Sequence, residues 1–398
     1  MIDDKKIKAY VLKNSLSYGG KASSGSVVSS LFNEGLEKSE VKNVMPNIQK
    51  IIKDVSKMSL NDQEKEFGKL KNLISEREIR EGFPELPNAE DGIVMRFAPA
   101  PSGVLHVGHI ISGMPSSLFV EKYGGKFYVR IEDTNPESID SEAYDKIKED
   151  CNWAFGNVSE YIVQSERMDL YYGYAVALIE KSKAYVCTCS GDDFREFSKN
   201  KKDCPCRKLL VEENIERWEK MVSKDGFKEG EAVLRFKSDM KHKNPAMRDF
   251  PLARINETKH PLQKNKYRVW PLMNLSVSVD DMELGMTHII RGKDHRDNSE
   301  RQKMIFEVFE KEYPWTYFMG RIKFSDIDLS KRKIKAAVEA GEYSGYDDKN
   351  LPTIISLRKR KYSPDVFRKF VEKRGLTEVD KVISQKDFFE AVENVGKE

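Results

Sequence analysis

The sequence contains few cysteines, few histidines and little net charge. Its 398 residues include 5 cysteines and 6 histidines, and the formal net charge is only +3. It lacks an apolar run of about 18 residues and a basic-then-apolar leader, which argues against membrane insertion and secretion. The small net charge excludes an overwhelmingly basic nucleic-acid coat, although local clusters can still form a binding face. We therefore expect a soluble, cytoplasmic protein with two to four domains.

Four of the five cysteines stand close together in the sequence. The stretch "CTCSGDDFREFSKNKKDCPCR" holds two Cys-x-Cys pairs separated by 14 residues, namely Cys187, Cys189, Cys204 and Cys206. Four thiolates can close a tetrahedral Zn²⁺ site, and such clustering in a cytosolic protein favours a structural zinc over disulfides. Reduced or partly oxidised thiols are the alternative.

The N-terminal part of the chain predicts a small helical domain over residues 1–90. Apolar residues recur with helical spacing from Val41 to Val55. Residues 15–30, "SLSYGGKASSGSVVSS", are interpreted as a loop leading into a helix start. A stretch rich in Pro, Glu, Asn and Gly over residues 83–92 is typical of a linker and marks the boundary.

The chain after the linker predicts an α/β fold. A strand over 93–97, a turn, a helix ended by Gly124 and Gly125, and a strand in "KFYVRIED" form the first βαβ unit of a doubly wound, Rossmann-like parallel sheet. Another apolar strand, "THIIRG", follows about 160 residues later. We therefore expect the two halves of this domain at 91–167 and 263–324, an insertion at 168–262, and a helical region with basic stretches at 325–398.

The stretch "APAPSGVLHVGHIISG" places His106 and His109 on one face of a first helical turn. Unpaired backbone N–H groups at a helix start attract an anion, and the imidazoles add donors at the same place. Gly103 predicts a left-handed turn, and Gly108 leaves room for a flat base or sugar. A helix cap with two surface histidines is the alternative.

Longer motifs carry a family resemblance. "RFAPAPSGVLHVGH", followed by "GGKFYVRIEDTNPE", resembles the nucleotide-binding signature of class I aminoacyl-tRNA synthetases of the glutamyl/glutaminyl branch. "DLSKRKI", with "GYDDKNLPT" behind it, resembles the mobile Lys-Met-Ser-Lys-Ser loop. "VWPLMNLSVSVDDMELGMTHIIRGKDH" looks most like the archaeal-type glutamyl enzymes. The resemblance runs from about residue 10 to the end of the chain.

This resemblance implies ligation of L-glutamate to tRNA(Glu) through a glutamyl-adenylate, using ATP with Mg²⁺. A monomer is expected, with tRNA(Gln) as a second candidate substrate. His106, His109 and Lys331 would stabilise the charge that develops on the ATP phosphates. The other ATP contacts that the resemblance implies are Pro101, Ser102, Gly103, Gly108, Arg321, Ile322, Leu329 and Ser330.

The resemblance also implies how the amino acid is bound. Glu132 would meet the α-amino group, and Arg291 with Arg96 would bind the side-chain carboxylate. Glutaminyl enzymes carry a small uncharged residue in place of Arg291, because an arginine fork pairs with a carboxylate and leaves its charge unmatched against an amide. A capping role for Glu132, and an ion pair of Arg291 with Asp294 or Glu300, are the alternatives.

Three positions depart from the wider family pattern. Ala100 replaces a polar residue within the Pro-x-Pro turn, and Asp328 replaces the first lysine of the loop. Met273, a further expected glutamate contact, stands where many relatives have a tyrosine. Each departure weakens a residue assignment and leaves the resemblance intact.

The resemblance implies several contacts with tRNA. The insertion would hold the acceptor end, and the basic stretch at Arg358–Lys361 would contact phosphates inside the elbow, with a solvated charged face as the alternative. Relatives continue beyond "VENVGKE" with anticodon-reading β-barrels, which predicts a shortened piece or a naturally short form without anticodon recognition. Two other functions remain open: transfer of glutamate to a modified tRNA base, and nonenzymatic tRNA binding.

Overall fold

The computed structural model describes residues 2–37, 39–75 and 82–397. The chain divides into two compact units, residues 1–80 and residues 81–398. The finer five-part division stays a prediction.

The first unit is helical. Its helices are α1 (Asp4–Ser17), α2 (Ser24–Phe32), α3 (Val41–Val55) and α4 (Leu60–Leu70). The apolar spacing correctly predicts α3, which buries Ile48 and Val55 in a core with residues of α1 and α2. Side-chain oxygens of Asp3 and Ser59 accept backbone N–H groups at the starts of α1 and α4.

The structure confirms a loop that leads into a helix start within residues 15–30, but the loop is shorter than that stretch. Helix α1 continues through Ser17, and α2 already begins at Ser24. Burial explains the difference, because Val27 and Leu31 of α2 are almost fully enclosed in the core of this unit. Only the short segment between the two helices is a turn.

The second unit contains all the strands of the described residues. They are β1 (Ile93–Phe97), β2 (Gly125–Ile131), β3 (Glu160–Val163), β4 (Ala184–Cys187), β5 (Val233–Phe236), β6 (Pro251–Ile255), β7 (Val269–Pro271), β8 (His288–Gly292), β9 (Trp315–Met319), β10 (Ile322–Phe324) and β11 (Lys381–Ile383). Its helices are α5 (Val107–Tyr123), α6 (Ala143–Phe155), α7 (Met168–Glu180), α8 (Gly191–Lys199), α9 (Val211–Val222), α10 (Met273–Glu283), α11 (Arg296–Val308), α12 (Lys331–Glu339), α13 (Ile354–Lys359), α14 (Pro364–Arg374) and α15 (Gln385–Lys397).

Two groups of parallel strands form the centre of this unit. Strands β1, β2 and β3 pair in that order, and β8 pairs with β9. Thr287 joins the groups, because its N–H donates to the Val94 carbonyl (3.0 Å) and its hydroxyl accepts the Val94 N–H (2.9 Å). The predicted α/β class, parallel sheet and β1–α5–β2 unit are confirmed. The chain passes from β1 to β2 on one side of the β1–β8 junction and from β8 to β9 on the other side. A crevice therefore opens at the carboxyl ends of β1 and β8.

Residues between β3 and β8 form a further layer, here called the inserted layer. Strands β4, β5, β6 and β7 make an antiparallel sheet whose core includes Trp218, Leu234 and Trp270. Helix α10 follows β7 and places the consecutive acids Asp280 and Asp281 in the interior.

The C-terminal segment is mainly helical, as expected, but it adds one strand that the sequence did not predict. Strand β11 is short and pairs in parallel with β10. Its first N–H, that of Lys381, donates to the Arg321 carbonyl (2.9 Å). Within the described part of the chain, no helix is both long and apolar enough to cross a membrane.

Candidate active site

A large cavity opens at the carboxyl ends of β1 and β8. Its volume is about 1030 Å³, and its walls come from the start of α5, the end of β8, strand β10 and the loop that precedes α12. Cavities of roughly this size hold nucleotide-sized ligands. Eight of the predicted residues line it: His106, Gly108, His109, Arg291, Arg321, Ile322, Leu329 and Ser330.

The other predicted ATP contacts lie at one side of this cavity. Pro101, Ser102 and Gly103 form the turn between β1 and α5, and Gly103 has the positive φ (138°) that the sequence predicted. Lys331 begins α12 and donates from Nζ to the Ala100 carbonyl (2.7 Å). The loop that precedes α12 therefore contacts the turn through a main-chain oxygen. This contact does not depend on the side chain at position 100.

The two histidines interact directly with each other and with the start of α5. His106 is the N-cap residue, and its Nδ1 accepts the Gly108 N–H (3.2 Å). Nδ1 of His109 accepts the His106 N–H (3.1 Å), and the two ring centroids lie 3.9 Å apart. Since each Nδ1 accepts a hydrogen bond, each neutral ring carries its proton on Nε2 and keeps one donor there.

The same geometry corrects one expectation. The first N–H groups of α5 were expected to be unpaired, but the Val107 N–H donates to the Pro352 carbonyl (2.9 Å), and those of Gly108 and His109 donate to His106. A side chain at position 108 would crowd the His106 ring, since a Cβ there would lie 3.0 Å from it. Anion binding at this helix start must therefore rely on side chains.

Burial sets the charge of these side chains. It lowers the pKa of His106 to about 3, with help from the nearby Lys331 ammonium, and lowers that of His109 well below its usual value. Burial also lowers the pKa of Lys331 to about 8, although Cys151 and Asp150 oppose the shift. At neutral pH the site thus offers two neutral donors and one cation.

Next to this cavity, two buried arginines share one carboxylate. Arg96 donates to Asp281 from Nε (2.9 Å) and Nη2 (3.1 Å), and Arg130 donates to the same carboxylate from Nη1 (2.5 Å). All three side chains are at most 5% exposed. The charge of Arg96, expected to bind the glutamate side chain, is therefore already matched inside the protein. Its role in binding glutamate stays a prediction.

Arg291 has a different environment. Its Nη1 donates to the Ser299 hydroxyl (3.2 Å) and to Oε1 of Gln302 (2.7 Å), while its Nε is buried without a partner. Neither Asp294 nor Glu300 pairs with it, since these acids bind Arg321 and Lys303 instead. Burial and the nearby Arg96 lower the pKa of Arg291. A cation held only by neutral groups is suited to an incoming anion.

Glu132 and Met273 lie on different elements. Glu132 follows β2, is 17% exposed, and accepts from Nη2 of Arg130 (3.0 Å). Met273 begins α10 and accepts a contact from Nδ2 of Asn298 (3.5 Å). The assignment of both residues to glutamate binding stays a prediction.

Four residues that order this site were missed: Arg130, Asp281, Ser299 and Gln302. Ser299 and Gln302 lie on α11, where their polarity gives no signal in the sequence. Asp281 had one usable signal, since two consecutive acids within the apolar stretch "NLSVSVDDMELG" must be paired when buried.

The basic stretch at 358–361 is largely satisfied within the chain. Arg358 lies 3.5 Å from Glu149 and 3.6 Å from Asp150, and Lys359 pairs with Asp347 (2.8 Å). Arg360 stacks on the ring of Tyr362. These contacts favour the charged-face alternative, and the phosphate contact stays a prediction.

The four clustered cysteines converge in the inserted layer. All four sulfur atoms lie within 4.8 Å of one another, and Sγ of Cys187 lies 3.9 Å from that of Cys204. Cys189 and Cys206 are also 3.9 Å apart. The Thr188 N–H and Arg217 donate to Sγ of Cys206 (3.5 Å each), as suits a thiolate. The cluster could hold a metal ion.

Comparison with known proteins decides the family. Residues 92–395, well over half of the chain, match the catalytic domain of tRNA synthetases class I (E and Q). The chain belongs to the class I aminoacyl-tRNA synthetases of the glutamyl and glutaminyl branch. Members of this family use ATP, which suits the cavity beside His106 and His109.

Archaeal proteins are similar to this class I synthetase over almost its whole length. A glutamate–tRNA ligase of Methanocaldococcus jannaschii is 42% identical over 387 residues, covering 97% of this chain and 69% of the relative. One of Methanobrevibacter smithii is 41% identical over 383 residues, covering 96% and 68%. The resemblance found in the motifs is thus confirmed.

Solved structures share the fold. A glutamate–tRNA synthetase of Elizabethkingia anophelis has a TM-score of 0.55 at 19% identity, covering 77% of this synthetase and 70% of that chain. A glutamate–tRNA ligase of Elizabethkingia meningosepticum has a TM-score of 0.51 at 21% identity, covering 70% and 60%. The present chain therefore spans less than two thirds of the length of the second protein.

Proposed function

We propose that this synthetase joins L-glutamate to tRNA(Glu) in two steps. The α-carboxylate of glutamate attacks the α-phosphorus of ATP, pyrophosphate leaves, and glutamyl-adenylate forms. A terminal hydroxyl of the tRNA then attacks the acyl carbon, and AMP leaves with the bonding electron pair. The archaeal relatives named as glutamate–tRNA ligases support this reaction.

The observation that carries the choice of glutamate is the environment of Arg291. Its neutral partners, Ser299 and Gln302, hold the guanidinium without cancelling its charge. The γ-carboxylate of glutamate would supply the missing anion, whereas the amide of glutamine would leave the charge unmatched. Glu132 would hold the α-amino group at the other end of the substrate.

The groups around the larger cavity are suited to ATP. The Nε2 donors of His106 and His109 and the Lys331 ammonium would bind the phosphates more tightly as negative charge moves to the leaving pyrophosphate. Lys331 would leave the Ala100 carbonyl to do so. Mg²⁺ would accompany ATP, held mostly by the phosphates and water.

Replacing Lys331 by alanine tests this assignment. We expect tRNA-dependent ATP–pyrophosphate exchange with glutamate to fall by about 10²- to 10³-fold, as when one charge-stabilising donor is lost. Lys335→Ala, one helical turn along α12 and partly exposed, removes the same charge and should leave exchange within twofold of wild type.

Three results would contradict the proposed function. Exchange that prefers glutamine would refute the role of Arg291, and the absence of exchange with either amino acid would favour a nonenzymatic tRNA-binding protein. Labelled glutamate that attaches equally to periodate-treated tRNA(Glu), whose terminal diol is destroyed, would favour transfer to a base. The same assay with tRNA(Gln) tests the second candidate substrate.

We also propose that the four cysteines bind a structural Zn²⁺. Tetrahedral zinc–thiolate bonds of about 2.3 Å place neighbouring sulfurs about 3.8 Å apart, close to the 3.9 Å between Cys187 and Cys204 and between Cys189 and Cys206. Such an ion would join the end of β4 to the segment that follows α8, and none of its ligands lines the cavity beside His106 and His109.

Metal analysis checks the zinc proposal. We expect about one zinc per chain in purified protein, and about half of it or less in Cys204→Ser. Cys151→Ser, a buried cysteine outside the cluster, should keep the full content. Four reactive thiols in metal-free protein that remains folded would overturn the assignment.

A further inference from the structure

A third histidine lines the large cavity, and the proposed function gives it no role. His295 lies in the short turn between β8 and α11, and it lines the cavity together with Arg291, His106 and His109. Arg291 belongs to the proposed glutamate site, whereas the other two histidines belong to the proposed phosphate site. His295 therefore lies on the wall of the space in which the two substrates must meet.

Hydrogen bonds along α11 fix the tautomer of His295. Nη1 of Arg301 donates to Oδ1 of Asn298 (3.1 Å), so Nδ2 is the amide atom of Asn298 that faces the histidine. This Nδ2 lies 3.1 Å from Nδ1 of His295. Because an amide N–H can only donate, Nδ1 must accept this bond, and the neutral ring carries its proton on Nε2.

No described residue accepts a good hydrogen bond from Nε2 of His295. The atom lies 3.5 Å from Oδ2 of Asp294, beyond the usual length of a hydrogen bond, and that oxygen is already 2.5 Å from Nη2 of Arg321. Burial lowers the pKa of His295, and the nearby Arg291 lowers it further. At neutral pH the ring is thus a neutral donor with a free N–H.

The charged groups of the amino-acid site lie near this donor. Glu132, Arg96 and Arg291 are all close enough to influence the charge of His295. If Arg291 binds the γ-carboxylate and Glu132 binds the α-ammonium, the α-carboxylate lies beside Glu132, because it shares a carbon atom with the ammonium group. It must also face the ATP phosphates in order to react. Nε2 of His295 is placed to donate to it.

The two reaction steps make different demands on a donor at this carboxylate. In the first step one carboxylate oxygen attacks phosphorus, and the other becomes the carbonyl oxygen of glutamyl-adenylate and loses negative charge. In the second step the tRNA hydroxyl attacks the acyl carbon, its proton is released to water, and an electron pair moves onto the carbonyl oxygen. That pair re-forms the carbonyl as AMP leaves. A fixed donor at this oxygen therefore stabilises the second transition state more than the first.

We infer that Nε2 of His295 donates to the carbonyl oxygen of glutamyl-adenylate and stabilises the oxyanion that forms during transfer to tRNA. Asn298 is a positioning residue, because its amide keeps the proton of His295 on Nε2. Arg301 orients Asn298 in turn. The inference rests on the proposed function, since glutamyl-adenylate is the reacting species, but it concerns the second step, which can be measured separately from the first.

Comparison of the two steps in His295→Phe tests this inference. Phenylalanine keeps a flat ring but has no donor, so single-turnover charging of tRNA(Glu) at saturating glutamate and ATP should slow by about 10²- to 10³-fold, as when one oxyanion donor is lost. ATP–pyrophosphate exchange, which reports the first step, should fall by less than about 10-fold. A merely structural role would lower both rates together.

Further variants separate the donor from the ring. His295→Gln places an amide N–H near the position of Nε2, so it should restore charging to within about 10-fold of wild type. His295→Asn, whose shorter amide corresponds to Nδ1, should not restore it. Asn298→Leu, which removes the bond that fixes the tautomer, should slow charging less than His295→Phe does. Glu300→Gln, an exposed acid on α11 outside the cavity, should keep both rates within about twofold of wild type.

Three results would overturn the inference. Equal losses of exchange and charging in His295→Phe would limit the residue to binding or structure, and wild-type charging would remove it from the reaction. Equal charging by His295→Gln and His295→Asn would show that the position of the donor does not matter, and this pair decides if His295→Phe does not fold. Wild-type protein that forms no glutamyl-tRNA would refute the proposed function and this inference with it.

Discussion

Arg291→Gln is expected to lower kcat/KM for glutamate by about 30- to 1,000-fold, equivalent to about 2–4 kcal/mol of lost transition-state stabilisation. The reason is that Arg291 has only neutral partners and a buried Nε without a partner, so that the substrate carboxylate supplies its missing counter-charge. Aminoacylation of tRNA(Glu), measured with glutamate and with glutamine, checks this result.

Two further variants separate charge from shape at Arg291. Arg291→Lys keeps the charge but loses the planar fork, so we expect an intermediate loss. Gln302→Glu leaves Arg291 in place and gives it an internal carboxylate, so it should raise KM for glutamate. Arg254→Gln, a partly exposed arginine, serves as the control and should keep wild-type activity. Wild-type charging of glutamate by Arg291→Gln would show that glutamate selection does not depend on this residue.

Local signals were sufficient for the central βαβ unit. A short apolar run, a turn and a glycine-ended helix determined β1 and α5, because strand and helix formation there depends on neighbouring residues. At residues 15–30 the same method found the loop and the helix start but not their bounds, because α1 and α2 extend into this serine- and glycine-rich stretch. Burial of Val27 and Leu31 in a core made by distant residues decides that boundary.

The site itself was only partly predictable. Residue types and motif resemblance predicted that His106, His109 and Arg291 belong to one site. The structure places all three around one cavity. The partners that set their charge depend on contacts far apart in the chain, such as Arg96 with Asp281. The pairing of the Val107 N–H with the Pro352 carbonyl is equally remote. No local pattern reveals such pairs.

Asp281→Asn is expected to destabilise the second unit by about 3–5 kcal/mol, because it removes the carboxylate that buried Arg96 binds and one of the three carboxylates around buried Arg130. Arg96 and Arg130 both donate to this carboxylate, and all three side chains are almost fully enclosed. Urea unfolding followed by tryptophan fluorescence measures the loss. Each of the 4 tryptophans lies between Trp153 and Trp315, so the signal reports on the second unit.

The pH dependence of this loss provides a second test. Burial would raise the pKa of Asp281, but Arg96 and Arg130 outweigh it and hold the pKa at about 2. The usual unfolded value is about 3.9, so the carboxylate stabilises the folded state fully above about pH 4 and progressively less as pH falls toward 2. The difference between wild type and Asp281→Asn should shrink over that range.

An exposed ion pair offers the matched comparison for Asp281. Glu300 pairs with Lys303 at 2.8 Å, with both side chains about half exposed, so Glu300→Gln should cost less than about 1 kcal/mol. Equal losses for the two variants would mean that Asp281 does not neutralise the buried arginines. Because Arg96 lies beside Arg291, Asp281→Asn would also place another unmatched cation near the glutamate site, and we expect weaker discrimination between glutamate and other acidic substrates.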